Sequence, residues 1–422
     1  MKNKHILISG ASIAGPALGY WLNQYGFKVT IVEKAPQLRL GGYRVDVRGK
    51  AVEVATRMGI MDSIRLNATN MRGSSLINIR GERLISFDDP DLQGMRAPGD
   101  AEIMRGDLSL LLYDRTRQDI EYIFDTSIVD LVQTPDEVIV RLKDGGVRSF
   151  DLVIGADGLH SNVRRLAFGS DEEFVRSYGC YLAIYTIPNF FGLDRWEWSG
   201  FSKGAVFNIF NCNEPGKAKA LFMFDAPGLA YDYRDVSQQK RIVMDRFKDE
   251  GGIVPLLLSA IPESPDFYFD SISQVHMDSL FSGRVALLGD AGYCPSPASG
   301  QGTSLALVGA YVLAGELAAA GGDYAVAFRR YGEVMKGFVV RNQELGRDGL
   351  KRMFPRTSTG VMIQKAMLWL LNRAPLRDRM MRMMFGKIQK KVDAVANGIT
   401  LKDYSGPARV LRKPSPGMLF LA

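Results

Sequence analysis

A chain of 422 residues exceeds the roughly 250 to 300 at which one hydrophobic core usually stops growing, so two intimately packed domains are expected. Hydrophobic residues at 46% and charged residues at 23% match an ordinary globular protein and exclude a disordered or fibrous chain. The net charge of +7 is uneven, since residues 351–422 hold 15 Lys and Arg against Asp378, Asp393 and Asp403; no nucleic-acid motif accompanies this stretch, and it reads as the solvated face of a C-terminal helix.

Cys180, Cys212 and Cys294 lie too far apart for a zinc site and cannot pair fully as disulfides, so no metal and a reducing cytoplasm are expected. The N-terminus enters the strand-like Ile6-Leu7-Ile8 without a signal-peptide pattern. No run of 18 uninterrupted apolar residues is present, so no stable membrane insertion is expected.

In chain order, Lys4 to Ser9 is β-rich, Ala17 to Gln24 helical and Phe27 to Val32 β-rich again, which makes a βαβ unit. Its turn, Gly10-Ala11-Ser12-Ile13-Ala14-Gly15, has the G-x-G-x-x-G spacing with Ser12 in place of the middle glycine. The mechanism survives that change: Gly10 permits the tight turn, Gly15 lets helix and strand pack, and the helix N-terminus offers N–H groups to a pyrophosphate. Gly10, Ser12, Ala14 and Gly15 are therefore candidate cofactor ligands. Glu33 ends the second strand, where a carboxylate can accept both hydrogen bonds of a ribose diol, and Lys34 follows it. This unit alone suits FAD and NAD equally.

Ala101 to Gln118 reads as a helix and Asp151 to Ile154 as a buried strand running into the turn Gly155-Ala156-Asp157-Gly158. Residues 175–280 change character, with β-rich runs at Tyr181 to Ile187, Ala205 to Phe210, Ala220 to Phe224 and Phe267 to Val275 between Pro, Gly and Asn clusters. Arg284 to Leu288 is another strand, followed by Gly289-Asp290-Ala291-Gly292 and, through Pro297, by Gly300-Gln301-Gly302. Beyond Gly302 the pattern is helical through Leu345. Val361 to Ile388 suggests one or two further helices broken near Pro375, and the segment holding Pro407, Pro414 and Pro416 should be irregular.

Residues 151–164 resemble the Asp-Gly fingerprint, and residues 283–302 the Gly-Asp motif, of the class A FAD-dependent monooxygenases related to para-hydroxybenzoate hydroxylase. The resemblance covers roughly residues 4–345. Its wording is most similar to the tetracycline-inactivating flavin monooxygenases in stretches such as Val45-Asp46-Val47-Arg48-Gly49, Tyr185-Thr186-Ile187-Pro188-Asn189 and Asp266-Phe267-Tyr268-Phe269-Asp270. It implies an α/β fold: a Rossmann-like FAD-binding domain of the glutathione-reductase type (1–174 and 281–345), an antiparallel β-sheet substrate domain (175–280), and a C-terminal helical, basic region (346–422). Asp157 and Gly158 would serve FAD and the passing nicotinamide nucleotide. Asp290 would bind the ribityl chain, with Pro297, Gly300 and Gly302 beside the isoalloxazine. Arg105 would stand against the flavin and Asp46 near it, and Arg39 or Arg48 would meet NADPH phosphates. Departures are Ser12 and the Gly292-Tyr293 pair where many members have Ala-His.

The implied activity consumes NAD(P)H and O₂ and hydroxylates an aromatic or polyketide-like molecule, possible tetracycline-type substrates included, through a flavin C4a-hydroperoxide. The chemistry then belongs to FAD, and no residue is named as a catalytic acid or base. His160 and His276 read as structural. Tyr181, Tyr185, Phe190, Phe207, Phe210, Phe222 and Phe224 offer aromatic surfaces for substrate, although alternation turns half of any strand away from a pocket. A monomer is the working expectation. Two rivals stand beside this reading: a flavin-dependent halogenase, suggested by Trp196-Glu197-Trp198, and a non-catalytic flavin-binding protein.

Overall fold

The computed structural model describes residues 2–404 apart from 40, 89–96, 212–213, 353–356, 358, 364–365 and 367–376. Cys212, the expected break near Pro375 and the Pro-rich closing segment lie outside the described residues.

The first strand β1 (His5–Ser9), helix α1 (Ala14–Gln24) and strand β2 (Lys28–Val32) form the expected βαβ unit. They belong to a six-stranded sheet in which β1 lies between β2 and the later strand Leu152–Gly155, and the outer strands are Val285–Leu287, Phe281–Ser282 and Glu121–Ile123. Ile8 of β1 stands opposite both Ile154 and Ile31 in parallel register. Ile6, Leu7 and Ile8 are fully buried because both faces of this parallel sheet are covered, so the strand reads as a continuous apolar run.

Strand β3 (Arg44–Val47) leads to helices α2 (Lys50–Met58) and α3 (Met61–Leu66), then to the hairpin β4 (Gly73–Ile77) and β5 (Arg83–Phe87). The segment expected to be helical from Ala101 divides in two. Residues Ala101–Met104 are strand β6, paired antiparallel with β3, and only Arg105–Thr116 is helix, α4. Pairing with a strand far back in the chain takes up the backbone groups that a first helical turn would leave unpaired.

Strands β7 (Glu121–Ile123) to β11 (Leu152–Gly155) follow, with β8 (Ile128–Gln133), β9 (Val138–Leu142) and β10 (Val147–Phe150) forming a three-stranded antiparallel sheet. Short helices α5 (Asn162–Ala167) and α6 (Asp171–Phe174) lead into the second large sheet: β12 (Val175–Pro188), β13 (Trp196–Ser202), β14 (Ala205–Phe210), β15 (Lys217–Asp225) and, after helices α7 (Val236–Phe247) and α8 (Val254–Leu258), β16 (Tyr268–Val275). The strand order is β16-β12-β15-β14-β13-β4-β5. Two expectations change here. The hairpin of residues 73–87 joins this sheet from outside 175–280, and it joins through a parallel β4–β13 pair, so the sheet is not wholly antiparallel.

The chain then returns to the first sheet with β17 (Phe281–Ser282) and β18 (Val285–Leu287), the turn helix α9 (Asp290–Tyr293), and helices α10 (Gly302–Ala319) and α11 (Tyr324–Arg352). By length and composition α10 could cross a membrane, but it lies buried inside the protein, where it packs against α1, α2 and α11. Helix α12 (Arg377–Ala396) packs on α11. Beyond it, Lys402 and the Tyr404 hydroxyl both reach the buried Glu316 carboxylate of α10 and strap the tail to the first domain.

Candidate active site

Three turns that are far apart in sequence meet at the C-terminal ends of β1, β11 and β18, the edge at which parallel sheets bind ligands. Gly10 has φ +108°, and a Cβ there would sit 2.4 Å from the Ala156 carbonyl oxygen, so the first turn lies directly on the second. Gly289 has φ +65°, and its Cβ would sit 3.2 Å from that of Ala14, which brings the third turn against the first. Gly15 is packed on the Gly10 carbonyl at the start of α1.

Beside this cluster Ala11, Ser12, Glu33, Leu38, Arg39, Arg105 and Ser109 line a small recess. Glu33 accepts the Ala11 N–H on Oε2 at 2.9 Å and the Ala35 N–H on Oε1 at 3.0 Å. Each oxygen keeps a lone pair for a hydroxyl. Arg105 opens α4. It donates to Ser12 Oγ at 2.9 Å, to the Gly41 carbonyl at 3.0 Å and to the Arg39 carbonyl at 3.3 Å. Burial lowers its pKa, yet a guanidinium at this depth stays charged. Ser12 Oγ also lies 3.4 Å from Ser109 Oγ. The serine that replaces a glycine is thus built into the floor of the recess. A carboxylate at one end, with an arginine, hydroxyls and a helix N-terminus at the other, fits a ribose joined to a pyrophosphate. Arg39 is exposed at the rim, while Lys34 is exposed and does not line the recess. Ser109 and Leu38 were not singled out in the sequence; one turn after Arg105 on α4, Ser109 was reachable by helical spacing.

The other predicted ligands gather farther along the cleft. Asp46 accepts from Arg48 at 2.8 Å, and its Oδ2 lies 3.9 Å from where a Gly300 Cβ would stand. The Arg48 N–H donates to Ser304 Oγ at 3.1 Å and so ties β3 to the start of α10. Arg48 is only 6% exposed, so of the two arginines expected at NADPH phosphates it is the buried one. Asp290 Oδ1 is 3.8 Å from the Cβ position of Gly302, and burial, then the charge of Asp270, raises its pKa. Pro297 and Gly300 are exposed on the same segment.

Asp157 behaves differently. Its carboxylate accepts the N–H groups of Asn162 (2.8 Å) and Val163 (3.2 Å) and the Ser161 hydroxyl (2.5 Å), which caps α5. Gly158 follows at φ +82° with open space about it.

The seven-stranded sheet supplies the opposite wall. Tyr181, Tyr185, Phe207, Phe222 and Phe224 all pack on its back with Val243 and Phe247 of α7 and Leu257 of α8. Of the seven aromatics proposed for substrate, only Phe210 joins the front, among Met71, Ile184, Leu221 and Tyr43; Phe190 is exposed. Trp196 and Trp198 also pack against the back-face core. On the front, the Tyr268 and Tyr43 rings lie 6.4 Å apart. Arg44 of β3 holds the Glu197 carboxylate, reaches Glu102 at 3.4 Å and lays its guanidinium 4.3 Å over Phe210, so it bridges the two domains. His160 meets Asp270 of β16 at 2.9 Å and stacks on Tyr233 at 4.2 Å. His276 bonds Gln274 at 3.1 Å, and burial lowers its pKa. Tyr43, Arg44, Tyr268 and Asp270 carry no local signal that marks them as neighbours.

Residues 3–326 match the family model described as an FAD binding domain. A flavin-dependent monooxygenase of Legionella longbeachae is 39% identical over 96% of this chain and 99% of its own length. An uncharacterised protein of Mycobacterium tuberculosis is 45% identical over 82% of this chain and 94% of its own length. The crystal structure of tetracycline destructase Tet(51) superposes with a TM-score of 0.81 at 36% identity, covering 96% of this chain and all of that one. The FAD complex of Klebsiella pneumoniae HpxO, at 22% identity and a TM-score of 0.68, shares the fold. The recess, the three joined turns and these relatives agree: the chain belongs to the FAD-binding-domain family and is an FAD-dependent monooxygenase of class A.

Proposed function

We propose that this monooxygenase takes its electrons from NADPH and hydroxylates aromatic, fused-ring polyketide-like compounds of the tetracycline type. The observation that carries the reading is the front of the seven-stranded sheet, where the half-buried Tyr43 and Leu221 present an apolar wall backed by the buried Ile184, Phe210 and Met71. Such a wall suits a flat, largely apolar ring system. The likeness to a tetracycline destructase over nearly the whole chain supports the same class.

FAD, when bound, supplies hydride acceptance and oxygen activation. The chain's residues bind, orient and exclude water. Glu33 would accept the ribose hydroxyls, while Ser12, Arg105 and the amides at the start of α1, from Ala14 and Gly15 onward, would hold the pyrophosphate. Asp290 would take ribityl hydroxyls, and Asp46, Pro297, Gly300 and Gly302 would border the ring. Exposed Arg39 is the candidate for the nicotinamide nucleotide's phosphate, and Gly158 leaves room for that nucleotide to pass. Lys34, outside the recess, is left as a solvent-side charge beside Glu33. The same reading has a monomer in the cytoplasm, where the buried Cys180 and Cys294 stay as thiols.

The test is oxygen uptake and NADPH oxidation by the FAD-loaded enzyme across tetracyclines, anthraquinones and simple phenols, with mass analysis of products. Stimulation by fused-ring compounds with gain of one oxygen supports the proposal. Stimulation by simple phenols alone, or by none of these, counts against the substrate class.

A further inference from the structure

Asp270 is 8% exposed, and its carboxylate joins three side chains. His160 meets its Oδ1 at 2.9 Å, the Tyr231 hydroxyl donates to the same oxygen at 2.9 Å, and the Tyr268 hydroxyl donates to Oδ2 at 3.1 Å. The Ser271 N–H adds a fourth bond, at 2.8 Å. Tyr231 packs among back-face aromatics, 5.1 Å from Phe269 and 5.6 Å from Tyr181, and steadies the carboxylate from behind. The other two partners lie on different elements, and both are partly open. The His160 side chain is 26% exposed on the Asp157-Gly158 turn, against the Tyr233 ring with the Arg234 guanidinium beyond it. Tyr268 is 36% exposed on the front of the sheet, opposite Ile184 in the register of β12 and facing Tyr43.

We propose that His160, Asp270 and Tyr268 form a proton path from solvent to the reaction cleft, with Asp270 as its buried hub. The path rests on the function proposed above, in which S–H + O₂ + NADPH + H⁺ gives S–OH + NADP⁺ + H₂O and one proton enters from solvent in each turnover. His160, protonated from water, passes a proton to the Asp270 carboxylate at Oδ1. The neutral carboxyl then turns to offer that proton to the Tyr268 oxygen, while the Tyr268 hydroxyl, swung off Oδ2, releases its own proton to the cleft. Asp270 is again a carboxylate that accepts from Tyr268, His160 recovers a proton from water, and no residue is changed. An imidazole that meets water at one end of such a hydrogen-bonded chain can serve as a proton shuttle. Two charged groups flank the hub: Asp290 from the cofactor side and Arg234 beyond Tyr233.

The experiment uses FAD-loaded enzyme reduced with dithionite and mixed with O₂, so that its proton demand, FADH⁻ + O₂ + H⁺ giving FAD + H₂O₂, needs neither NADPH nor substrate. His160→Ala and Asp270→Asn should each slow reoxidation, on the order of 10²-fold, with an enlarged solvent deuterium isotope effect. Added imidazole should restore the His160→Ala rate and leave Asp270→Asn slow. Equal slowing with no imidazole rescue and an unchanged isotope effect marks a purely structural tie and overturns the path, as do variants that reoxidise at the wild-type rate. A second readout uses the cofactor-free chain labelled at the tyrosine ring carbon that bears oxygen. Burial first and the Asp270 charge second raise the pKa of both Tyr231 and Tyr268, so in Asp270→Asn both should titrate at lower pH than in wild type. An unmoved Tyr268 titration removes the hub even if a substrate is found. A moved one keeps the hub even if the substrate class proves wrong.

Discussion

The two walls of the cleft are made by different means. On the parallel-sheet side the surface is mostly backbone: three turns pressed so closely that a Cβ on Gly10 would strike the Ala156 carbonyl and one on Gly289 would crowd Ala14. On the seven-stranded side the surface is every second side chain of strands whose other side chains form an aromatic core. Close backbone approach tolerates almost no substitution, whereas a strand face can be rewritten without moving the strand. A family can therefore keep one cofactor and change substrates by altering the front face alone.

The contrast is sharpest at Gly10. Gly10→Val places a branched side chain at φ +108° against the Ala156 carbonyl, and the variant should retain no FAD after reconstitution, read as absorbance of the desalted protein. Retained flavin would show that the turns have slack. Next come paired truncations on the sheet. Phe222→Ala empties the fully buried back-face core and should cost about 3–5 kcal/mol in denaturant unfolding, with little change in the KM for substrate of the folded fraction. Phe210→Ala, equally buried but beneath Arg44 on the front, should cost a similar amount and in addition raise that KM. If the KM effect appeared in Phe222→Ala instead, the assignment of faces would be inverted.

Smaller effects probe the joints. Arg105→Ala leaves the Ser12 hydroxyl and the Gly41 carbonyl without their partner, and loss of a charged hydrogen bond of about 1.5–3 kcal/mol corresponds to FAD binding weakened about 10- to 100-fold. Lys219 and Thr186 hold the Asp266 carboxylate down to about 2 despite its burial. A depressed carboxylate adds stability above its unfolded pKa near 4 and loses it as pH falls through about 2. Acid unfolding of wild type should therefore run ahead of Asp266→Asn in steepness over that window, by on the order of 1 kcal/mol after allowance for partial exposure.

Much of the parallel-sheet wall was legible in the sequence because its requirements are local. A turn that admits only glycine, followed by a helix, leaves the same spacing wherever it occurs, and Glu33 stands at a strand end fixed by counting. The structure brings Ser12, Glu33, Arg39 and Arg105 to one recess. Asp157 was ambiguous in the sequence, since a cofactor turn and a helix cap ask for the same residue, and its carboxylate here is engaged in capping. The seven-stranded wall was less legible because alternation marks two faces without telling which one packs into the core. The run of aromatics drew attention to Tyr181, Tyr185, Phe207, Phe222 and Phe224, yet these form the back-face core. Long-range pairing hid the rest. Nothing local joins Gly73–Ile77 to Trp196–Ser202, or turns Ala101–Met104 from helix to strand beside Arg44–Val47.

The most direct test of the account supplies the FAD-loaded enzyme with NADPH, a tetracycline and isotopically labelled dioxygen, and follows the product by mass. The proposed function predicts a product that carries one labelled oxygen atom, formed in step with NADPH oxidation. NADPH oxidation that yields only hydrogen peroxide with tetracyclines and other fused-ring phenols, or a product whose added oxygen comes from water, would contradict it.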